Sequence, residues 1–143
     1  MRFAISKLDD EQQIVFGFAQ VAVNKGETDP LIDHQGDVVD PEDLAKAAYD
    51  FVLDSREGDV MHVGDVASHL VESMAFTIEK LEKFATTPDG FIDQGVLEVL
   101  KRAIPLGWWV GFKVDDPAAW QGVKNGTYPM FSVAGQAIRE EIS

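Results

Sequence analysis

Residues 14–23, Ile-Val-Phe-Gly-Phe-Ala-Gln-Val-Ala-Val, hold no charge and are dominated by β-branched and aromatic side chains. Such a run suits a pleated, largely buried strand, and Gly17 marks a bend or bulge within it. A second run of the same kind, Gly-Trp-Trp-Val-Gly-Phe-Lys-Val, covers residues 107–114. The segments around these two strands decide the class of fold. Asp40 to Arg56 reads as a helix, with Asp40 as cap, Pro41 in the first turn, and Glu42 and Asp43 facing the positive end of the dipole. Leu44, Ala47, Ala48, Phe51 and Val52 make its apolar face. Residues 59–77 read as strand material broken near Gly64, a pair of strands. Residues 78–103 are helical in part, split by Thr-Thr-Pro-Asp-Gly. A further helix starts at Asp116 and Pro117 and stops at Asn125-Gly126. The stretch from Gly126 to the end supplies one strand or two. A long polar loop fills residues 24–37, the kind of loop that often carries function. Strands and helices do not alternate as a parallel βαβ sheet requires, so the expectation is α+β: a small, mostly antiparallel, partly closed β-barrel.

Composition narrows function more than fold. At 143 residues, 45% hydrophobic and 26% charged, the chain reads as one globular domain spanning residues 1–143. Its 25 acidic and 12 basic residues give a net charge of −13, which repels phosphate backbones, and no basic cluster with interleaved aromatics offsets it. Nucleic acid is therefore not an expected partner, whereas a basic protein or peptide is compatible. There is no cysteine, so disulfides, thiolate metal sites and cysteine nucleophiles are excluded, as suits a reducing cytosol. The amino-terminal stretch lacks the apolar core of a signal peptide, and no window approaches a transmembrane span. The reading is a soluble intracellular protein with no membrane partner.

Chemistry centres on Gly126–Gly135, Gly-Thr-Tyr-Pro-Met-Phe-Ser-Val-Ala-Gly, where Ser132 stands in an apolar run. A serine is a nucleophile only beside a base, an orienting group and donors for an oxyanion. The chain offers three histidines, His34 in the polar loop and His62 and His69 in the strand pair. A histidine in a strand next to Gly64 can be held rigidly with one ring nitrogen accessible, as a general base requires. The plain alternative is that these histidines, like Ser132, are satisfied by local hydrogen bonds. A metal site from His62, His69 and Asp65 is a further option, but the spacing matches no zinc motif.

Taken together, the segments Val15–Val23, Asp33–Arg56, Met61–Asp65 with Leu70–Thr77, Gly107–Val114 and Val123–Gly135 resemble the phage XkdF-type serine proteases. That family is related to the prohead proteases of tailed phages and, more distantly, to the herpesvirus assembly proteases. The resemblance runs from Val15 to Glu141. It implies a herpesvirus-protease-like barrel surrounded by helices, with His62 as general base and Ser132 as nucleophile on neighbouring strands. It implies Glu72 as the third member, with His69 or Glu140 (or its neighbour Glu141) as alternatives, and backbone N–H groups of Val133, Ala134 and Gly135 as oxyanion donors. No metal or organic cofactor is needed. The implied task is cleavage of scaffold and major coat proteins inside the immature capsid, in the host cytoplasm, by an enzyme that forms a homodimer.

Two rivals belong to other classes. One is a catalytically idle capsid-assembly or scaffold-binding module on the same fold. Ser132-Val133-Ala134-Gly135 suits it, because prohead proteases commonly place a bulky apolar residue and then glycine after the serine. The other is a small-ligand-binding barrel, which would show a closed apolar pocket away from Ser132.

Overall fold

The structure is a computed structural model that describes residues 2–32, 36–58, 68–133 and 137–139. Its elements run β1 (Arg2–Ala4), β2 (Lys7–Asp9), β3 (Ile14–Val23), α1 (Pro41–Gly58), β4 (Ser68–Phe76), α2 (Ile78–Phe84), α3 (Gln94–Ala103), β5 (Leu106–Val114), α4 (Pro117–Lys124), β6 (Met130–Ser132) and β7 (Ala137–Ile138). This is an α+β fold. A three-stranded sheet has the order β1-β6-β7 and a four-stranded sheet the order β2-β3-β5-β4. The β1–β6, β6–β7 and β2–β3 pairs are antiparallel.

The barrel expected from the sequence is not closed among the described residues: the strands form two open sheets. The reason lies at the amino terminus. After β1 the chain leaves the small sheet, with Ile5 N–H donating to Pro129 O at 3.3 Å, and enters the large one, with Ser6 N–H donating to Phe16 O at 2.8 Å. It therefore adds a short edge strand, β2, instead of carrying one ladder around. Neither β1 nor β2 is legible in the sequence, because three-residue strands are too short to show a convincing alternation.

The chain divides into two compact units, Met1–Ala19 with Tyr49–Met74 and Trp109–Ser143, and Gln20–Ala48 with Ala75–Trp108. In the first, Phe3 and Phe131 face each other across the β1–β6 ladder with ring centroids 5.8 Å apart. Phe112 of β5 meets Phe131 at 5.3 Å and Phe3 at 6.3 Å, and Phe51 of α1 meets Phe112 edge-on at 6.5 Å. Phe131 is wholly buried and Phe3 nearly so. Burying rings of this size contributes about 2–3 kcal/mol each, with a further fraction from their edge-on and offset geometry. Gly17 shows why this packing is possible: a Cβ there would stand 2.5 Å from Ala4 O and from the Phe3 ring. The strand is continuous through Gly17, and the missing side chain there allows the close approach of β1.

In the second unit, Thr77 caps α2 by accepting from Lys80 N–H at 3.2 Å, and Asp93 caps α3 by accepting from Val96 N–H at 3.1 Å. Leu81 and Leu97 are buried beneath them. The caps read in sequence are also present. Asp40 accepts from Glu42 N–H at 2.7 Å, and Asp116 accepts from Ala118 N–H at 3.2 Å. On α1 the buried residues are Leu44, Ala45 and Ala48, while Ala47 is exposed. Around the helix Ala45 stands about 20° beyond the stripe that Leu44, Ala48 and Val52 define, whereas Ala47 stands about 60° beyond its other edge.

Candidate active site

Ser132 is the last residue of β6, and what positions it is the stop of α4. Gly126 takes φ of +83°, which a side chain would resist. Asn125 Oδ1 then accepts from Thr127 N–H at 2.9 Å and from its hydroxyl at 2.6 Å. Tyr128 N–H returns to Gly122 O at 3.0 Å, so the chain is turned back into β6. Within β6 successive side chains alternate. Phe131 enters the aromatic core, so Ser132 lies on the opposite face, half-buried, directly across from Arg2 of β1. Val133 follows in a turn and is buried. Ala134 and Gly135, the other oxyanion candidates, lie outside the described residues, as do His34, His62, Asp65, Glu140 and Glu141.

The two described third-member candidates both sit on β4 and are both exposed. Glu72 Oε1 accepts from Trp109 Nε1 of β5 at 2.7 Å, and its Cβ is 3.2 Å from the place a Cβ on Gly111 would take. His69 Nδ1 lies 2.6 Å from Asp115 Oδ2, just past the end of β5. Moving back along β4 from Glu72 to His69 thus moves forward along β5, as an antiparallel pair requires. Residues three apart in a strand project to opposite faces. Glu72 shares its face with Trp109, whose ring packs on Phe16 at 6.0 Å and on Phe18 at 5.1 Å. In the structure Glu72 and His69 thus have different partners, Trp109 and Asp115.

His69 with Asp115 has the form of a base and its orienting carboxylate. An acid at Nδ1 fixes the tautomer and leaves Nε2 to take a proton. Asp115 is not legible as a site residue in sequence, because in Val-Asp-Asp-Pro the helix-cap signal belongs to its neighbour Asp116. Its own signal, a carboxylate at the end of a long buried strand, was present. Glu72 is held instead by the indole N–H of Trp109.

Among the described residues no group of three His, Cys, Asp or Glu could hold a metal ion, and no helix is long and apolar enough to cross a membrane. A cleft of about 180 Å³ in the second unit is lined by Val23, Ile78, Leu81, Ile104 and Leu106, with Lys101 beside them. It is open to solvent, unlike the closed pocket of a ligand-binding barrel.

Residues 2–141 match the family described as "Putative phage serine protease XkdF", and the chain belongs to that family. Neither a curated protein nor a solved structure matches it.

Proposed function

We propose that the protein is a phage serine endopeptidase in which Ser132 is the nucleophile and His62 the general base, with scaffold and major coat proteins as substrates during capsid maturation. The observation that carries this reading is membership of the phage serine protease family over residues 2–141. The position of Ser132 supports it: the residue ends a strand and faces away from the aromatic core, and Val133 after it lies in a turn. His62 takes the hydroxyl proton as Ser132 attacks the peptide carbonyl, then gives it to the leaving amine. N–H groups of Val133, Ala134 and Gly135 stabilise the tetrahedral oxyanion, each such donor being worth about 3–4 kcal/mol. Glu72 orients His62. The chemistry calls for no metal or organic cofactor, and its setting is the immature capsid within the host cytoplasm, with the enzyme as a homodimer.

A second reading rests on one distance. The 2.6 Å contact of His69 with Asp115 supplies a base already paired with a carboxylate, so His69 replaces His62 and Asp115 replaces Glu72. The test is co-expression with the phage's own scaffold and coat proteins, followed by mass mapping of new termini. Ser132→Ala is expected to abolish those termini with the melting curve unchanged, and His62→Ala to match it, since triad losses of about 10⁶-fold in turnover do not add. Processing that persists in a folded Ser132→Ala protein would show the serine to be structural. Absence of processing by the unaltered protein would point to the idle scaffold-binding module.

A further inference from the structure

We infer that Arg2 is a specificity-determining residue, one that binds an acidic side chain of the peptide cleaved at Ser132. The inference rests on the protease reading above and deepens it. Arg2 and Ser132 are direct partners in the antiparallel β1–β6 ladder, and Phe3 and Phe131 are partners in the next position. The two phenylalanines fill the aromatic core, so alternation sets Arg2 and Ser132 together on the other face. Directly opposed residues have Cβ atoms about 4.5–5.5 Å apart. A guanidinium on that stem reaches past the serine to whatever lies over it.

The remaining described strand residues of this face are Ala4, Met130 and Ile138, joined by the Ala4–Met130 and Met130–Ile138 pairings. Arg2 is thus the sole charge the described strands bring there. It is exposed, and no carboxylate among the described residues lies within ion-pair distance of it. That is notable in a chain with 25 acidic residues against 12 basic ones. Lys83, Lys101 and Lys124, by contrast, are paired with Glu79, Glu98 and Asp10. The net charge does not prevent an acidic peptide from binding. At physiological salt, charges more than about 8 Å away are screened, while a contact pair is screened far less.

The experiment offers the protein an unbiased library of synthetic peptides and reads cleavage positions by mass spectrometry. Peptides that are cut are then remade with each Asp or Glu changed to its amide. Ser132→Ala must abolish the cleavage counted. The expected result is a preference for Asp or Glu at one position near the cut, which falls about fivefold in Arg2→Gln, the scale of an exposed ion pair. The preference is retained in Arg2→Lys, weakens with added salt, and turns toward Lys or Arg in Arg2→Glu. A Ser132-dependent profile that is the same in Arg2→Gln and Arg2→Glu overturns the role of Arg2 and leaves the protease standing. Absence of any Ser132-dependent cleavage overturns the protease reading and this inference with it.

Discussion

The two sheets differ in how they are held. The large sheet rests on strands of ten residues (β3) and nine (β5 and β4), of which β3 and β5 bury apolar side chains along their length while β4 buries only Ala75. The small sheet has strands of three, three and two residues, and it carries Ser132. Strands this short have too few cross-strand pairs to stand alone. The small sheet is instead pinned by Phe3 and Phe131 against Phe112 of β5. The candidate nucleophile therefore sits on a platform ordered by side-chain packing more than by its own ladder. The orienting candidates, Glu72 and His69, sit on β4 of the large sheet, where the ladder is long.

The largest effect that bears on this contrast concerns which β4 residue works with Ser132. If Glu72 orients His62, Glu72→Gln lowers turnover by about 10⁴-fold, as an amide in place of a triad carboxylate does by favouring the wrong tautomer. Asp115→Asn then stays close to normal. The opposite pattern, with His69→Ala as severe as Asp115→Asn, moves the base to His69. Melting curves taken alongside should shift little for both carboxylates, since both are exposed and such changes cost within about 0.5 kcal/mol.

The next effect is on stability. Phe131→Ala empties a fully buried site between Phe3 and Phe112, and such truncations cost about 3–5 kcal/mol. Hydrogen exchange should show where the loss falls. Amides of β1 and β6 are expected to lose protection well before those of β3 and β5. Equal loss in all four strands would mean that the two sheets open as one unit and that the contrast between them is only one of length.

The same contrast explains what could be read from the residues alone. β3, β5, the caps of α1 and α4, and the break between α2 and α3 were legible because each has a long pattern or a dedicated polar residue. β1 was not, since its partner β6 lies near the other end of the chain, and β2, though it pairs with its neighbour β3, is too short to show an alternation. The closed barrel failed for a related reason: closure depends on how strand edges meet, and a strand's own pattern says nothing about that. At the candidate site, Ser132 stands out in sequence as the one serine of the Gly126–Gly135 run. The contacts of Glu72 with Trp109 and of His69 with Asp115 were not legible, because they are set by the register of β4 on β5.

The smallest expected effect belongs to Asp10, which follows the edge strand β2. Its carboxylate takes Lys124 Nζ at 3.0 Å and Trp120 Nε1 at 3.1 Å, tying the β2–β3 turn to α4. The bond from Lys124 first, and that from Trp120 second, hold its pKa below the ordinary 3.8, against a small opposing effect of desolvation. A carboxyl group whose pKa is lower when folded binds protons more readily when unfolded. Its contribution to stability is therefore complete above the ordinary pKa and is lost as pH falls through the folded value. The carboxylate is open to water, so the contribution is small and screened by salt. Asp10→Asn is expected to lower the melting temperature slightly at pH 7 and low salt, with the gap to the unaltered protein closing as pH drops below 3.8. A gap that persists unchanged at acid pH would mean that Asp10 acts through hydrogen bonds an amide cannot copy rather than through charge. The β2 edge would then be held as the small sheet is, by local fit.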